Sequence, residues 1–95
     1  MKLIKVEGSS LKNKRLVAIF SNGKKEKKVN FGLKGGSTYL DNKDKKKRSA
    51  YRARHKVDLK TKDPMRAGYL SYYLLWGDST SLAVNIKDYK KKFNL

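Results

Sequence analysis

Basic side chains outnumber acidic ones by 25 to 8 in this chain of 95 residues, which gives a net charge of +17 at pH 7. Charges of one sign repel each other within a compact fold, so the chain requires an anionic partner or a wide distribution of its cations. The candidate partners are nucleic acid, an anionic membrane and an acidic protein surface, in that order. A basic surface that serves only solubility is the simpler alternative, but a small domain needs a net charge of only about 2–8 for that purpose.

The length and the aromatic content predict one domain spanning residues 1–95 with one modest core. One Trp, six Tyr and three Phe can anchor that core, and there is no Cys. Without Cys, neither a disulfide nor a Cys-ligated zinc can stabilise the fold, which suggests either a reducing compartment or stabilisation by partners. We find no apolar run long enough for a membrane span, and Met1–Glu7 alternates like a strand and lacks the apolar region of a signal peptide.

Residues 1–31 have the pattern of β structure. The sequence predicts a short first strand around Leu3, Ile4 and Val6, and a stronger strand over residues 14–21. The dipeptide Asn22-Gly23 then predicts a type I′ hairpin turn, because both of its positions favour positive φ. The returning strand is expected from Lys24 to Phe31, and its lysine-rich first half suits an exposed sheet edge.

The remainder of the chain has helical patterns after a glycine-rich loop over residues 32–40. We expect Asp41 to cap a helix over residues 42–56, and Asp63-Pro64 to begin a second helix that ends near Leu75. A third helix is expected to begin near residues 78–80, with one apolar stripe formed by Leu82, Ile86, Tyr89 and Phe93. The predicted fold class is therefore α+β, with a small antiparallel sheet packed against about three helices.

The helix over residues 42–56 contains a row of cations that is a candidate binding surface. Between residues 43 and 56 there are eight Lys and Arg side chains and one acid, Asp44. The helical spacing predicts one basic face, formed by Lys45, Arg48, Arg52 and Lys56. This face suits a phosphate backbone or an acidic protein groove, whereas Ala50, Tyr51, Val57 and a semi-buried Arg54 are expected on the inward side. A solvated charged face that binds nothing is the alternative.

A second candidate surface is the aromatic run in the Pro64–Leu75 segment. Tyr69, Tyr72, Tyr73 and Trp76 fall at the spacing of one helix face. They form either a stacking platform for unpaired bases or part of the core. We favour core packing combined with partner contact, with Tyr69, Tyr72 and Tyr73 as partner-binding residues and Trp76 within the domain's own core.

Little in the sequence supports catalysis. His55 is the single histidine, and no cluster of His and acidic residues has the spacing of a metal site. The loop over residues 32–38 lacks the order of a phosphate-binding P-loop, because Lys34 precedes Gly35 and Gly36. That loop is either an anion nest or, as we favour, a flexible turn. We therefore predict no enzymatic activity, no cofactor, no metal and no small-molecule substrate.

From Phe31 onward the chain resembles a group of short, basic, uncharacterised proteins of large DNA viruses of algae and protists. The spacing from Arg54-His55 through Asp63-Pro64 to Leu75-Trp76 is the most specific part of the resemblance, and residues 1–28 lie outside it. Thr38 and Lys62 depart from the Asp and Trp that are frequent in the group. The shared residues are Phe31-Gly32, Lys34-Gly35, Ser37, Tyr39, Lys43-Asp44, Arg48, Tyr51, Arg54-His55, Asp63-Pro64, Ala67-Gly68, Leu75-Trp76, Thr80, residues 86–90 and Phe93.

The resemblance implies a viral context and supplies no mechanism. Our first hypothesis is a minor structural protein that cements the inner shell of a large icosahedral virion, by contact with acidic surfaces of other virion proteins. The alternative is a non-specific nucleic-acid-binding protein that organises or packages the viral DNA. Either hypothesis places the protein in the virion and, during assembly, in the viral factory of the host cytoplasm.

Overall fold

Three antiparallel strands form a sheet in the order β1-β2-β3 in the computed structural model, which describes residues 1–95. The strands are β1 (Lys2–Gly8), β2 (Lys14–Ser21) and β3 (Glu26–Leu33). The helical part comprises α1 (Tyr39–Asn42), α2 (Lys45–His55), a 3-10 segment (Lys56–Thr61), α3 (Ala67–Leu70), a π turn (Ser71–Leu75) and α4 (Leu82–Phe93). The α+β prediction is confirmed, and no helix is both long enough and apolar enough to cross a membrane.

The side chains of the central strand β2 alternate between the two faces of the sheet, and one of these faces packs against the helices. Ala18 and Phe20 are fully buried, and they share the core with Leu3 and Phe31 of the flanking strands. Because successive side chains of a strand point to opposite faces, Val17 and Ile19 lie on the other face. The neighbours of Ile19 there are Lys5 and Lys28 and those of Val17 are Glu7 and Asn30, so apolar residues line the centre of that face and polar residues its sides.

The β2–β3 hairpin is confirmed, but its predicted turn type and the predicted start of β3 are wrong. Four residues connect the strands, and of Asn22 and Gly23 only Gly23 has positive φ, at 91°. A type I′ turn requires positive φ at both positions. The Asn22 side chain instead accepts hydrogen bonds from the backbone N–H groups of Lys24 and Lys25, which holds these residues in the loop and delays β3 until Glu26.

The predicted helix over residues 42–56 is divided in two by a left-handed residue. Thr38, not Asp41, is the N-cap of α1, and Asp41 is its third residue and completes a capping box. Lys43, with φ of 53°, ends this short helix. Asp44 then caps α2, because its carboxylate accepts hydrogen bonds from two backbone N–H groups of the first turn.

Asp63-Pro64 forms a turn before its helix and does not begin it. The Asp63 carboxylate accepts from the N–H of Met65 and the Asp63 carbonyl accepts from the N–H of Arg66, so α3 begins three residues later than predicted. The helix does end near Leu75, through a π turn closed by the N–H of Trp76 and the carbonyl of Ser71. A Cβ at Gly77 would lie 2.1 Å from the Tyr73 carbonyl oxygen, so only glycine fits after the turn.

Helix α4 contributes the apolar stripe that its sequence predicts, although it begins at Leu82, after the N-cap Ser81. Tyr89 is 1% exposed, and Leu82, Ile86 and Phe93 pack against the same core. The sequence did not reveal the buried Asn85 on this helix. Its side chain bonds both the N–H and the carbonyl of Ser79 and the carbonyl of Leu74, and it thereby joins α4 to the end of the π turn.

Candidate functional site

The two arginines in the middle of the predicted basic face are bound to the protein's own backbone. Arg48 donates from Nε to the Gly77 carbonyl at 2.7 Å and from Nη2 to Asp78 Oδ1 at 2.6 Å. The π turn leaves carbonyl groups without helical partners, as every helix end does. Arg52 satisfies one of them, since its Nη1 donates to the Trp76 carbonyl at 2.8 Å, and its guanidinium lies 4.1 Å from the Tyr72 ring centroid.

Because of these contacts, the face of α2 that is directed at the core is not the one that the sequence predicts. Arg48 and Arg52 are half-buried, whereas Lys45 and Lys56 at the ends of the row are exposed. The expected semi-buried arginine, Arg54, is exposed and makes no hydrogen bond or ion pair. Of the residues predicted to face inward, Ala50 and Val57 are exposed and Tyr51 is half-buried. The prediction was wrong about Arg54, Ala50 and Val57 because arginines, and not small apolar residues, fill the space against the π turn.

The tyrosines predicted to bind a partner are mostly core residues. Tyr69 and Tyr72 are 6% and 7% exposed, and the Tyr69 hydroxyl donates to the Leu59 carbonyl at 2.7 Å. Tyr73 is half-buried against Phe93, with ring centroids 5.3 Å apart. Trp76, 8% exposed, is in the core as expected. Only Tyr73 of the three tyrosines therefore retains a substantial surface for a partner.

A cavity of about 650 Å³, which the sequence did not reveal, lies between the glycine-rich loop and the helices α2 and α3. Phe31, Leu75 and Trp76 supply apolar surface to its wall. Its basic side chains are Lys14, Lys47, Arg54 and His55, and its acidic one is Asp58; the remaining lining residues are Gly32, Leu33, Gly36, Ser37, Thr38, Ala50, Tyr51, Ala67, Gly68 and Ser71.

A stack of three aromatic rings runs along the α2 side of this cavity. The Tyr51 ring lies 4.4 Å from the Trp76 ring, at an interplanar angle of 9°, and 4.2 Å from His55. His55 Nδ1 is 3.1 Å from an Asp58 carboxylate oxygen, so the last ring of the stack is oriented by an acid. Burial raises the pKa of the Tyr51 hydroxyl above its ordinary value, and a hydrogen bond with Ser71 opposes that rise. The one sequence signal for this stack was the i, i+4 spacing of Tyr51 and His55.

The glycine-rich loop forms the opposite wall, where two glycines adopt conformations that other residues disfavour. Gly32 has φ of 80°, and a Cβ there would lie 2.8 Å from Leu75 Cδ1. Gly35, with φ of 87°, faces open space. Arg15 connects the loop to the fold, because its Nη1 donates both to the Gly36 carbonyl and to Asp41. No pattern in the sequence indicates that this loop borders a cavity.

The surface charge is strongly one-sided because the few acids pair mostly with arginine or histidine and leave the lysines unpaired. All twenty lysines are exposed, and Lys5, near Glu7, is the one lysine with a carboxylate within 4.0 Å. The other four ion pairs take arginine or histidine: Arg15–Asp41, Arg48–Asp78, His55–Asp58 and Arg66–Asp63. Nineteen lysines therefore face solvent without a counter-charge from the protein.

The profile of a family described as "Family of unknown function (DUF5754)" matches residues 4–55, more than half of the chain. The chain belongs to this family. The matched range contains β1 from Ile4 onward, β2, β3, α1 and α2, so the family region carries most of the sheet, the glycine-rich loop and one side of the cavity. It also covers residues 4–28, which lie outside the viral resemblance. Neither the curated proteins nor the solved structures yielded a match.

Proposed function

We propose that this chain is a non-specific nucleic-acid-binding protein that contacts the phosphate backbone through its exposed lysines. The observation that carries the proposal is that the arginines are mostly bonded within the protein and the lysines are not. Four of the five arginines bond carboxylates or carbonyls of the protein itself, whereas nineteen of the twenty lysines have no carboxylate partner. Unpaired, flexible ammonium groups on a rigid domain suit the release of counterions from a polyanion.

The contact surface that we assign first is the exposed side of α2 and the 3-10 segment that follows it. Lys45 and Lys46 begin the helix, Lys56 follows its end, and all three are exposed. Of the two acids of this region, Asp44 is engaged by the backbone of the first turn and Asp58 lies 3.1 Å from His55, so neither pairs with the lysines. The half-buried Arg48 and Arg52 support this surface and do not form it.

Lack of sequence preference follows from the same geometry. Base readout uses planar side chains such as Arg, Asn and Gln aimed into a groove. Here the guanidinium groups of Arg15, Arg48 and Arg52 are committed to the fold, so Arg54 is the one free arginine of α2, and lysine is a point charge on a flexible stem. We therefore expect phosphate contact without strong discrimination between base sequences.

The decisive experiment is a salt titration of binding to two short duplexes of unrelated sequence. With about six phosphate contacts, log K should fall with log salt at a slope of about −5, and the two duplexes should agree within a few-fold. An unphosphorylated acidic peptide of similar length is the matched control for attraction to any anion. Tighter binding of that peptide than of either duplex, or a salt slope near zero, would contradict the proposal.

A cement role in a virion is the second candidate, and one observation favours it. Leu33 is 71% exposed at the end of the edge strand β3, and Val57 is 56% exposed. An exposed edge strand with apolar side chains suits pairing with another protein. The tyrosine contact assigned to this role is reduced by the burial of Tyr69 and Tyr72. Retention of the protein in purified particles emptied of DNA would support cement, and release together with the DNA would support nucleic-acid binding.

A further inference from the structure

The cavity between the glycine-rich loop and α2 combines two kinds of wall. One part is cationic, because Lys14, Lys47 and Arg54 all line it. The other part is aromatic, because the buried Trp76 supports the Tyr51 ring, and the partly exposed His55 ring ends the stack. A ligand that fills such a cavity must itself have a flat, weakly polar part and an anionic part.

The cations of the cavity are available to a ligand. Lys14, Lys47 and Arg54 are exposed, and none of them has a carboxylate within 4.0 Å. Arg54 in particular makes no side-chain hydrogen bond, in contrast to Arg48 and Arg52 on the same helix. The acid of the cavity, Asp58, is held by His55 Nδ1 at 3.1 Å. The free charge of the cavity is therefore positive.

We propose that this cavity binds a nucleotide, with its phosphate against Lys14, Lys47 and Arg54 and its base on the outer face of the His55 ring, the exposed end of the stack. The volume of about 650 Å³ lies within the range of about 300–1,000 Å³ that small-molecule sites occupy, and it is larger than a free phosphate requires. Arg54 presents a planar fork for the phosphate oxygens, and the uncovered face of the His55 ring suits a base because every base has a π face.

This inference does not rest on the proposed function, and it departs from the expectation that the chain has no small-molecule ligand. Backbone binding uses lysines over a convex surface, whereas a nucleotide site requires a concave volume and a ring on which the base can stack. The same nucleotide chemistry has two sources, a free mononucleotide or an unpaired terminal nucleotide of a strand. The glycine-rich loop, held by Arg15 at Gly36, keeps one wall in place for either source.

Titration calorimetry with adenosine 5′-monophosphate, adenosine and inorganic phosphate tests the ligand class. We expect the monophosphate to bind at least ten-fold more tightly than adenosine or phosphate, since it alone has both a base and a phosphate group. The indole N–H signal of Trp76, the chain's one tryptophan, should shift in an NMR titration. Equal affinities for the monophosphate and for phosphate would overturn the proposal. A 5′-phosphorylated hexanucleotide that displaces the monophosphate and shifts Trp76 identifies a strand as the source, and failure to displace it identifies the free nucleotide.

Two variants test the location of the site. Ala50→Trp at an exposed position of the wall should fill part of the cavity and weaken monophosphate binding at least ten-fold, with no change in total charge. The pair Lys47→Gln and Arg54→Gln should weaken it similarly. The matched control, Lys87→Gln with Lys91→Gln, removes the same charge from α4 and should leave the affinity within two-fold.

Equal losses in the control and in the cavity pair would show that only overall charge matters and would overturn the site. If circular dichroism shows that Ala50→Trp is unfolded, the comparison of the two double variants is sufficient to test the location of the site. All four of their positions are exposed, so we expect both double variants to fold. Duplex binding by Ala50→Trp should retain the wild-type salt slope, so a failure of the nucleotide site and a failure of backbone binding are separable outcomes.

Discussion

Arg52 donates a hydrogen bond to the carbonyl oxygen of Trp76 across 2.8 Å, and this contact connects the most basic helix of the chain to its most aromatic segment. The carbonyl lies directly after the π turn, where helical partners are absent. The guanidinium also covers the Tyr72 ring. A residue that sequence spacing assigns to a ligand surface therefore contributes to the fold.

Arg52→Gln should lower the stability of the domain. A hydrogen bond to a charged group contributes about 1.5–3 kcal/mol, and the variant also loses the contact with Tyr72. We expect the free energy of unfolding in urea to fall by about that amount. Lys45→Gln, an exposed position on the same helix, is the control and should change it by no more than about 0.5 kcal/mol. Equal effects of the two substitutions would contradict the structural role of Arg52.

Asn85→Ala should destabilise the protein by about 2–4 kcal/mol, because it leaves backbone groups of Leu74 and Ser79 without partners and opens a small cavity. Urea unfolding monitored by Trp76 fluorescence measures the effect. Asn13→Ala, at an exposed position, should be close to neutral. Asn85→Asp should be at least as harmful as the alanine variant, since a carboxylate cannot donate to the two carbonyls and a buried charge is costly.

Periodicity predicted the elements that bury one regular face. The β2 bounds agree with those expected, and the stripe from Leu82 to Phe93 packs as its spacing indicates. In both cases the burial of apolar side chains at a fixed period is the main local constraint. The hairpin was likewise predictable from Asn22-Gly23, although its loop length was not.

The cavity and the orientation of α2 were not predictable because they depend on contacts distant in sequence. Arg52 and Trp76 are 24 residues apart, and no spacing rule indicates that an arginine will satisfy a carbonyl across that separation. Helical spacing gives the angles between side chains but not the direction of the core, so the inward face was assigned to Arg54 instead of Arg52. The left-handed Lys43 that divides the first helix has no signal either, since lysine rarely adopts that conformation.

Gly32→Ala should destabilise the fold more than Gly35→Ala. Both positions have positive φ, so each alanine incurs backbone strain of about 1 kcal/mol. Only at Gly32 does the added Cβ also meet neighbours, at 2.8 Å from Leu75 and 3.2 Å from Arg15, and such overpacking costs about 1–3 kcal/mol more. Thermal unfolding of the two variants measures the difference, and a lower melting temperature for Gly35→Ala would contradict the packing of the loop on Leu75.

Asp41 should make stability depend on pH in the acid range. Hydrogen bonds from Arg15 and, secondarily, from Thr38 hold the pKa of this carboxyl well below its ordinary value. The contribution of the ion pair is therefore complete above the unfolded-state pKa of about 3.9 and is lost as pH falls from there through the folded-state pKa. The pair is partly exposed, so its contribution is about 0.5–1 kcal/mol.

Asp41→Asn tests this dependence. Wild type should exceed the variant in unfolding free energy at about pH 7, and the difference should shrink at about pH 2.5, where the unfolded chain is protonated at this position. Asp88→Asn, an exposed acid on α4 without an ion pair, is the control and should show no such convergence. A difference between wild type and Asp41→Asn that stays constant across this range would show that the carboxylate charge is not what stabilises the α1 region.

The salt dependence of duplex binding distinguishes the two kinds of cation on α2. Each phosphate contact contributes about −0.9 to the slope of log K against log salt, so Lys45→Gln with Lys56→Gln should flatten the slope by about 2. Arg48→Gln with Arg52→Gln removes the same charge but should alter the slope less and the stability more, because both side chains already bond the backbone. Lys87→Gln with Lys91→Gln controls for net charge. If the arginine pair flattens the slope as much as the lysine pair in a protein that stays folded, the guanidinium groups leave their carbonyls to meet phosphate, and the assignment of the interface to lysines is wrong.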